Sequence, residues 1–224
     1  MQKQEAIQTL IDTGRQMMEK GLTWGTAGNL SLRLDDTHML ITASGTDMGA
    51  LDEESFTLCN LATGQTQGRR ASKEMPMHAA VYQQAPWAQA VAHASPHYAT
   101  LASASDLAVR NDLFVENMYY LQKVRRVPYC HPGSERLSRA VGEAAPFANV
   151  LLLCNHGVVT FDQNMSEALA ALEMLENTCR MQVTMMAAGI KASPVSEEMR
   201  QDFLLRANYR PVRQCFKEED QINS

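Results

Sequence analysis

One stretch constrains the fold more than any other, because it joins a helix to a strand and carries most of the candidate catalytic groups. It runs from Ser72 to His97 and reads SKEMPMHAAVYQQAPWAQAVAHASPH. Ser72 can cap a short helix and Ala85–Pro86 can end it, since proline cannot continue a helix. The apolar strand that follows can bring His93 back beside Glu74.

A carboxylate and imidazoles at strand ends are the groups that hold a divalent metal beside an acid or base. Besides Glu74 and His93, the candidates are His97 and His156, the latter in CNHGVV after another apolar strand. Spacing alone does not identify a metal site here, because the compact Cys/His signatures are absent and a lone histidine is usually an ordinary polar residue.

The composition indicates one α/β domain over residues 1–224, with a tail that frays from about residue 217. Of the 224 residues, 45% are hydrophobic and 20% are charged. A net charge of −5 without any basic run argues against nucleic acid or a membrane as a partner. Five scattered cysteines and an N-terminus without the apolar core of a signal peptide predict a cytoplasmic protein.

The order of predicted elements indicates an α/β fold of the α+β type, with a mixed or antiparallel sheet. The Gly-x-Gly-x-x-Gly fingerprint and the Walker loop are absent, so dinucleotide and nucleoside triphosphate binding are not indicated. Helices are predicted over 5–20, from Ser72 to Ala85, and over 97–105, 134–144, 164–188 and 196–208. Strands are predicted over 30–34, 39–42, 56–61, 65–68, 88–93, 123–129, 149–154 and 158–161.

Six segments, taken in order, resemble the class II aldolase/adducin family and in particular its L-fuculose-phosphate aldolase branch. They are GLTWGTAGNLSLR, MLITASGT, SKEMPMHAAVY, AVAHASPHYAT, VPYCHPGS and LLLCNHGVV. The resemblance runs from about Ile7 to Glu176, and more weakly to Tyr209. It implies a central, mostly antiparallel β-sheet sandwiched between helical layers, and a homotetramer with an active site between subunits.

The resemblance also implies roles for individual residues. Glu74 matches the acid/base that can touch the metal, and His93 and His156 match zinc ligands. Neutral hydroxyls and backbone N–H groups on glycine-permissive loops can surround a phosphate. The positions that match the phosphate site of the family are Asn29, Ser44, Gly45 and Ser72.

A tyrosine from a neighbouring subunit is the implied acid for the leaving aldehyde. Tyr209 matches the tail tyrosine of the fuculose branch. Tyr119 and Tyr120 are further candidates, although packing with one hydrogen bond is the more ordinary role for that pair.

Two positions depart from the family pattern. Ser95 stands where the second histidine of H-x-H is expected, and serine is a poor zinc ligand, so His97 is the candidate replacement if the turn at Pro96 allows it. Lys73 stands where the fuculose branch has a small hydroxyl. A lysine there resembles branches that act on phosphorylated sugar acids, where it can supply a cation to phosphate or carboxylate.

The leading hypothesis is a metal-dependent class II aldolase-type lyase that uses Zn²⁺. It would cleave a C–C bond of a phosphorylated ketose or sugar acid and leave an enediolate, on which Glu74 moves a proton. The same site can serve a decarboxylase, epimerase or dehydratase. A third alternative is a non-catalytic, adducin-like binding protein; Ser95 favours it, whereas Glu74, His93 and His156 oppose it.

Overall fold

Eight strands and seven α-helices make up the part of the chain that the computed structural model describes, residues 2–211, 216 and 217. The helices are α1 (Lys3–Glu19), α2 (Met75–Gln84), α3 (His97–Ser103), α4 (Val115–Tyr120), α5 (Glu135–Ala144), α6 (Met165–Ala187) and α7 (Glu197–Arg206). The strands are β1 (Asn29–Arg33), β2 (His38–Thr42), β3 (Phe56–Asn60), β4 (Thr66–Gly68), β5 (Ala90–Ala94), β6 (Val124–Val127), β7 (Val150–Leu153) and β8 (Gly157–Asp162).

The strands form a mixed sheet in the order β4-β3-β2-β1-β5-β8-β7-β6. Every neighbouring pair is antiparallel except β6 and β7, which are parallel. The predicted mostly antiparallel sheet is therefore confirmed. Its centre joins β1, β5 and β8, and the register places Asn29 of β1 opposite His93 of β5.

Helices cover both faces of the sheet because its strands carry apolar side chains on both faces. In β5, Ala90 and Ala92 face a core that includes α1, α3, α4 and α6. Val91, between them, faces a second core that includes α2 and α5. This alternation is the two-residue period of a strand buried on both sides.

The start of α2 differs from the sequence prediction. The N-cap is Glu74 rather than Ser72, and the Glu74 side chain makes no capping hydrogen bond. The Ser72 hydroxyl instead accepts a hydrogen bond from the Glu74 backbone N–H at 3.3 Å. The Glu74 carboxylate is therefore not used by the helix and can face the sheet.

The predicted frayed tail begins at Lys217, which donates its backbone N–H to the Pro146 carbonyl at 2.9 Å. The rest of that tail, residues 218–224, lies outside the described residues.

Within the described residues, no helix is both long enough and apolar enough to cross a bilayer.

Gly28 sets the distance between β1 and the end of β5. Its φ of +82° lies in the left-handed region, and a Cβ built on it would lie 2.5 Å from the His93 carbonyl oxygen. A side chain at this position would therefore combine backbone strain with a clash against the strand that carries His93.

We expect Gly28→Ala to lower the free energy of unfolding by about 2–4 kcal/mol, the sum of left-handed strain and overpacking. The control is Gly64→Ala, because Gly64 has a φ of +70° and an added Cβ would meet nothing within 4 Å. The control should lose only about 1–2 kcal/mol, the strain alone. Urea denaturation measures both, and equal losses would contradict the close approach.

Candidate metal centre

Three chain segments bring a carboxylate and two imidazoles together at the centre of the sheet. Glu74 precedes α2, His93 lies near the end of β5, and His156 lies in the turn between β7 and β8. That turn is tight: Asn155 has a φ of +57°, and Gly157 has a φ of +153°. A Cβ on Gly157 would lie 2.6 Å from the Ala94 carbonyl oxygen, so the turn needs glycine to approach β5.

Each oxygen of the Glu74 carboxylate faces one imidazole. Oε2 lies 3.2 Å from Nε2 of His93, and Oε1 lies 3.1 Å from Nε2 of His156. The three ligand atoms of the group lie within 4.8 Å of one another. Glu74 is 8% exposed and His93 is 2% exposed, so this charge is largely removed from water.

The charges of this cluster depend on one another. Burial by itself raises the pKa of the Glu74 carboxyl, but the charge of His93 and the close polar contacts of His156, His93 and Asn29 with the carboxylate outweigh it, so the pKa lies well below its usual range. For His93, burial lowers the pKa, but the charge of Glu74 outweighs it and raises the pKa above its ordinary value. In the chain alone, the positive charge of His93 thus compensates the buried carboxylate.

The donor set fits a divalent metal. Nδ1 of His93 lies 2.9 Å from the Val158 carbonyl oxygen and donates to it, which leaves Nε2 as the nitrogen with a lone pair in a neutral ring. Metal-binding histidines usually have this backbone partner. Oε1 of Glu74 is buried, and its 3.1 Å approach to Nε2 of His156 is an ion pair without the alignment of a hydrogen bond. A cation between the carboxylate and the two Nε2 atoms would satisfy all three groups.

The structure does not bring His97 into this group. His97 is exposed, begins α3, and its ring packs edge to face against Tyr98 at 5.0 Å between centroids. Among the described residues, the cluster that can hold a metal consists of Glu74, His93 and His156. The prediction of His97 as a ligand is therefore corrected: Pro96 directs the chain into a helix that carries His97 away.

Ser95 has a different role from the histidine expected at its position. Its hydroxyl donates to the backbone carbonyl of His156 at 3.3 Å. This hydrogen bond ties the end of β5 to the turn that carries His156. Ser95 therefore supports the position of a candidate ligand.

Asn29 contacts the carboxylate directly. Its Nδ2 donates to Oε2 of Glu74 at 2.9 Å, and its Oδ1 lies 2.5 Å from Nε2 of His78. One amide hydrogen of Asn29 is thus committed to Glu74, and its role as a phosphate ligand stays a prediction. Sequence reasoning missed His78, although its position four residues after Glu74 places it one helical turn further along the same face.

The two loops predicted to bind phosphate lie side by side. Ala43 pairs with Ala71 in an isolated bridge, and the Ser44 N–H donates to the Arg70 carbonyl at 2.8 Å. Ser44 and Gly45 are consequently near Ser72, and their role as phosphate ligands stays a prediction. Gly45 has a φ of +77° and open space around it.

Comparison with known proteins decides the family. The model of the class II aldolase and adducin N-terminal domain matches residues 8–183. The chain belongs to this family. The resemblance read from the six sequence segments is therefore confirmed.

Class II aldolase relatives differ in the reactions that their names describe. A 3-oxo-tetronate 4-phosphate decarboxylase of Haemophilus influenzae is 32% identical over 186 residues, which are 81% of this chain and 89% of that protein. An L-fuculose phosphate aldolase of the same species is 27% identical over 201 residues, 90% of this chain and 93% of that protein. The crystal structure of YgbL from Klebsiella pneumoniae, described by the alternatives aldolase, epimerase and decarboxylase, superposes with a TM-score of 0.84 at 29% identity, covering 91% of this chain and 99% of that one.

Lys73 and Tyr209 are the two remaining residues to which the family resemblance gives a role. Lys73 is exposed, and the loop at Gly133 packs against its backbone, since a Cβ on Gly133 would lie 2.9 Å from the Lys73 carbonyl oxygen. Tyr209 packs against Phe203 and Tyr119, with ring centroids 5.3 and 6.0 Å away. These contacts place Tyr209 beside α4 and α7, and its role as an acid in a neighbouring subunit stays a prediction.

We expect the purified protein to bind one Co²⁺ per chain at this cluster. His156→Ala should raise the Kd at least about tenfold because it removes a ligand, whereas His97→Ala should leave the Kd unchanged within about twofold. Titration against a chromophoric chelator measures both. A loss in His97→Ala equal to that in His156→Ala would contradict the proposed ligand set.

Ser95→His provides a gain-of-function control, since it restores the histidine of the family pattern beside an existing site. Tighter Co²⁺ binding by this variant would agree with a cluster of two histidines and one carboxylate. Co²⁺ binding only after this substitution would show that the natural chain has no such centre.

Proposed function

We propose that this protein is a divalent-metal-dependent carbon–carbon lyase, and that the reaction it serves best is decarboxylation of a phosphorylated 3-oxo sugar acid. The observation that carries the proposal is the buried Glu74 carboxylate, each oxygen of which faces the Nε2 atom of one imidazole. Lys73 beside it, together with the similarity to a 3-oxo-tetronate 4-phosphate decarboxylase, supports an acid as the substrate.

Glu74, His93 and His156 would hold the metal, and a set of two imidazole nitrogens and a carboxylate oxygen suits Zn²⁺. When bound, such an ion acts as a Lewis acid that stabilises negative charge on a substrate oxygen. The remaining positions around it would be left to water and substrate, because Ser95 and His97 supply no imidazole.

The reaction needs an electron sink and a proton donor. The bond between the carboxylate carbon and C2 breaks, CO₂ leaves, and the electron pair forms a C2=C3 double bond with negative charge on the C3 oxygen. Because C2 carries a hydroxyl, the product of this step is an enediolate. Glu74, which is ionised in the structure, would take up a proton from water once substrate is bound and deliver that proton to C2, which gives a hydroxyketone phosphate and returns the ionised carboxylate.

The anionic groups of the substrate would be held by the loops before α2. Ser44 and Ser72 would contact the phosphate with their hydroxyls and Gly45 with its backbone N–H, since the N–H groups of the two serines are used within the protein. Lys73 would contact the carboxylate and orient it before CO₂ leaves.

Aldol cleavage is the second candidate, favoured by the similarity to an L-fuculose phosphate aldolase over 90% of this chain. It passes through the same enediolate but needs an additional acid for the leaving aldehyde. Tyr209 of a neighbouring subunit would supply that acid in a cytoplasmic homotetramer. Epimerisation and dehydration pass through the same enolate. The products formed in the substrate assay below distinguish these reactions from decarboxylation and aldol cleavage.

We expect the Zn²⁺-loaded protein to release CO₂ from 3-oxo-tetronate 4-phosphate with one hydroxyketone phosphate formed per CO₂. Glu74→Gln should lower kcat by about 10²–10⁴-fold, because the amide cannot deliver a proton. A coupled assay for the two products measures this, with circular dichroism as the folding control. Cleavage of a ketose 1-phosphate without CO₂ release would favour the aldolase; neither activity would reject the lyase.

Lys73 should set the preference for an acid. Lys73→Met should raise KM for the sugar-acid phosphate about tenfold while leaving a neutral ketose phosphate unaffected, since one charge-assisted contact is lost. Lys20→Met is the matched control, because Lys20 is also an exposed lysine and it pairs with Glu173, which is not a residue of the candidate site. Equal KM increases for both substrates would assign Lys73 to the phosphate instead of the carboxylate.

A further inference from the structure

A row of buried polar side chains leads from Glu74 into the space between β1 and α2. Oε2 of Glu74 accepts from Nδ2 of Asn29 at 2.9 Å, and Oδ1 of Asn29 lies 2.5 Å from Nε2 of His78. Nδ1 of His78 lies 2.7 Å from the Ser31 hydroxyl, which lies 2.9 Å from the Tyr82 hydroxyl. Asn29, Ser31, His78 and Tyr82 are each 5% exposed or less.

Periodicity explains how two elements supply this row. Asn29 and Ser31 are two residues apart in β1 and share one face of the strand. His78 and Tyr82 are four residues apart in α2 and share one face of the helix, one turn beyond Glu74. The row is thus built wherever this helix face packs on this strand face.

The direction of every hydrogen bond follows from the carboxylate. An ionised carboxylate only accepts, so Asn29 must turn its amide nitrogen toward Glu74 and its carbonyl oxygen toward His78. That oxygen also only accepts, so His78 must carry its proton on Nε2. A neutral ring then has a lone pair on Nδ1, to which the Ser31 hydroxyl donates, and the Ser31 oxygen accepts from Tyr82.

The surroundings keep His78 neutral. Burial and, to a smaller extent, the nearby charge of His93 lower the pKa of His78 to about 3 against the opposing effect of Glu74. Burial also raises the pKa of the Tyr82 hydroxyl, which remains a donor. The Arg33 guanidinium lies 5.0 Å from the centre of the Tyr82 ring and donates to the Tyr82 carbonyl, so the far end of the row is fixed.

We infer that His78 is a positioning residue, which holds Asn29 with its amide nitrogen toward Oε2 of Glu74 and leaves Oε1 as the oxygen that exchanges the proton. The inference deepens the proposed function and rests on Glu74 being its acid/base. Oε1 makes no well-aligned hydrogen bond among the described residues and instead forms an ion pair with Nε2 of His156 at 3.1 Å, which agrees with its role as the oxygen that exchanges the proton.

The row orients Glu74 and does not conduct protons. A proton on Oε2 cannot pass to Asn29, because an amide nitrogen has no lone pair available to accept it. All donors point toward the carboxylate, so each hydrogen bond polarises the next and strengthens the one to Oε2. Removing His78 should therefore disturb the geometry of proton transfer without removing a reacting group.

The kinetic test compares two substitutions at His78 in the full-length, metal-loaded protein. His78→Leu removes both nitrogens and should lower kcat about 10–100-fold, while KM changes less than about threefold. His78→Gln retains an amide donor toward Asn29 and should recover most of the lost kcat. Equal kcat losses in the two variants, or losses that appear in KM, would overturn the inference.

A spectroscopic test remains decisive if no tested substrate reacts. In the protein labelled with ¹⁵N-histidine, His78→Gln identifies the signals of His78 by their disappearance. We expect one protonated nitrogen, Nε2, and one unprotonated nitrogen, Nδ1, at neutral pH. A proton on Nδ1, or on both nitrogens, would overturn the inference; inactivity of the wild type with the expected spectrum would reject the proposed function alone.

Discussion

The structure depends on a buried carboxylate that must be compensated. Glu74 lies between two imidazoles at the centre of the sheet, where an uncompensated charge is strongly disfavoured. In the chain alone, His93 supplies positive charge and Asn29 supplies a hydrogen bond. A divalent cation can replace the imidazole proton, and the same arrangement then becomes a catalytic centre whose acid or base is already in place.

The fold makes this arrangement possible by allowing backbones to approach closely at the end of β5. Both Gly28 and Gly157 lie so near this strand that a Cβ would touch its carbonyl oxygens, at His93 and Ala94. These two glycines bring β1 and the β7–β8 turn against the strand that carries His93. The Ser95 hydroxyl adds a hydrogen bond to the same turn. The site is therefore a property of three adjacent segments and not of one motif.

Much of the fold could be predicted because apolar residues recur in the strands and because turn-forming residues mark the ends of the helices. The residues of the cluster, Glu74, His93 and His156, could also be predicted, since their motifs occur in order. Helix α4 was missed because its few residues show no long periodic pattern. The parallel pairing of β6 with β7 depends on where the chain crosses the sheet, which local pattern does not encode.

The errors near the site have local physical causes. His97 was predicted as a ligand by its closeness in sequence, but three-dimensional position is set by the helix that starts at that residue. Ser72 was predicted as the cap, yet its hydroxyl accepts from the residue that actually caps α2. His78 was missed because a histidine in an amphipathic helix is interpreted as packing until its partners in β1 are known.

The most direct test of the central claim is diffraction from crystals grown with Zn²⁺, measured on both sides of the zinc absorption edge. We expect one anomalous peak per chain, about 2.0–2.2 Å from Nε2 of His93, Nε2 of His156 and an oxygen of Glu74. Absence of that peak, with Glu74 still paired with the two imidazoles, or a peak at His97, would contradict this metal centre.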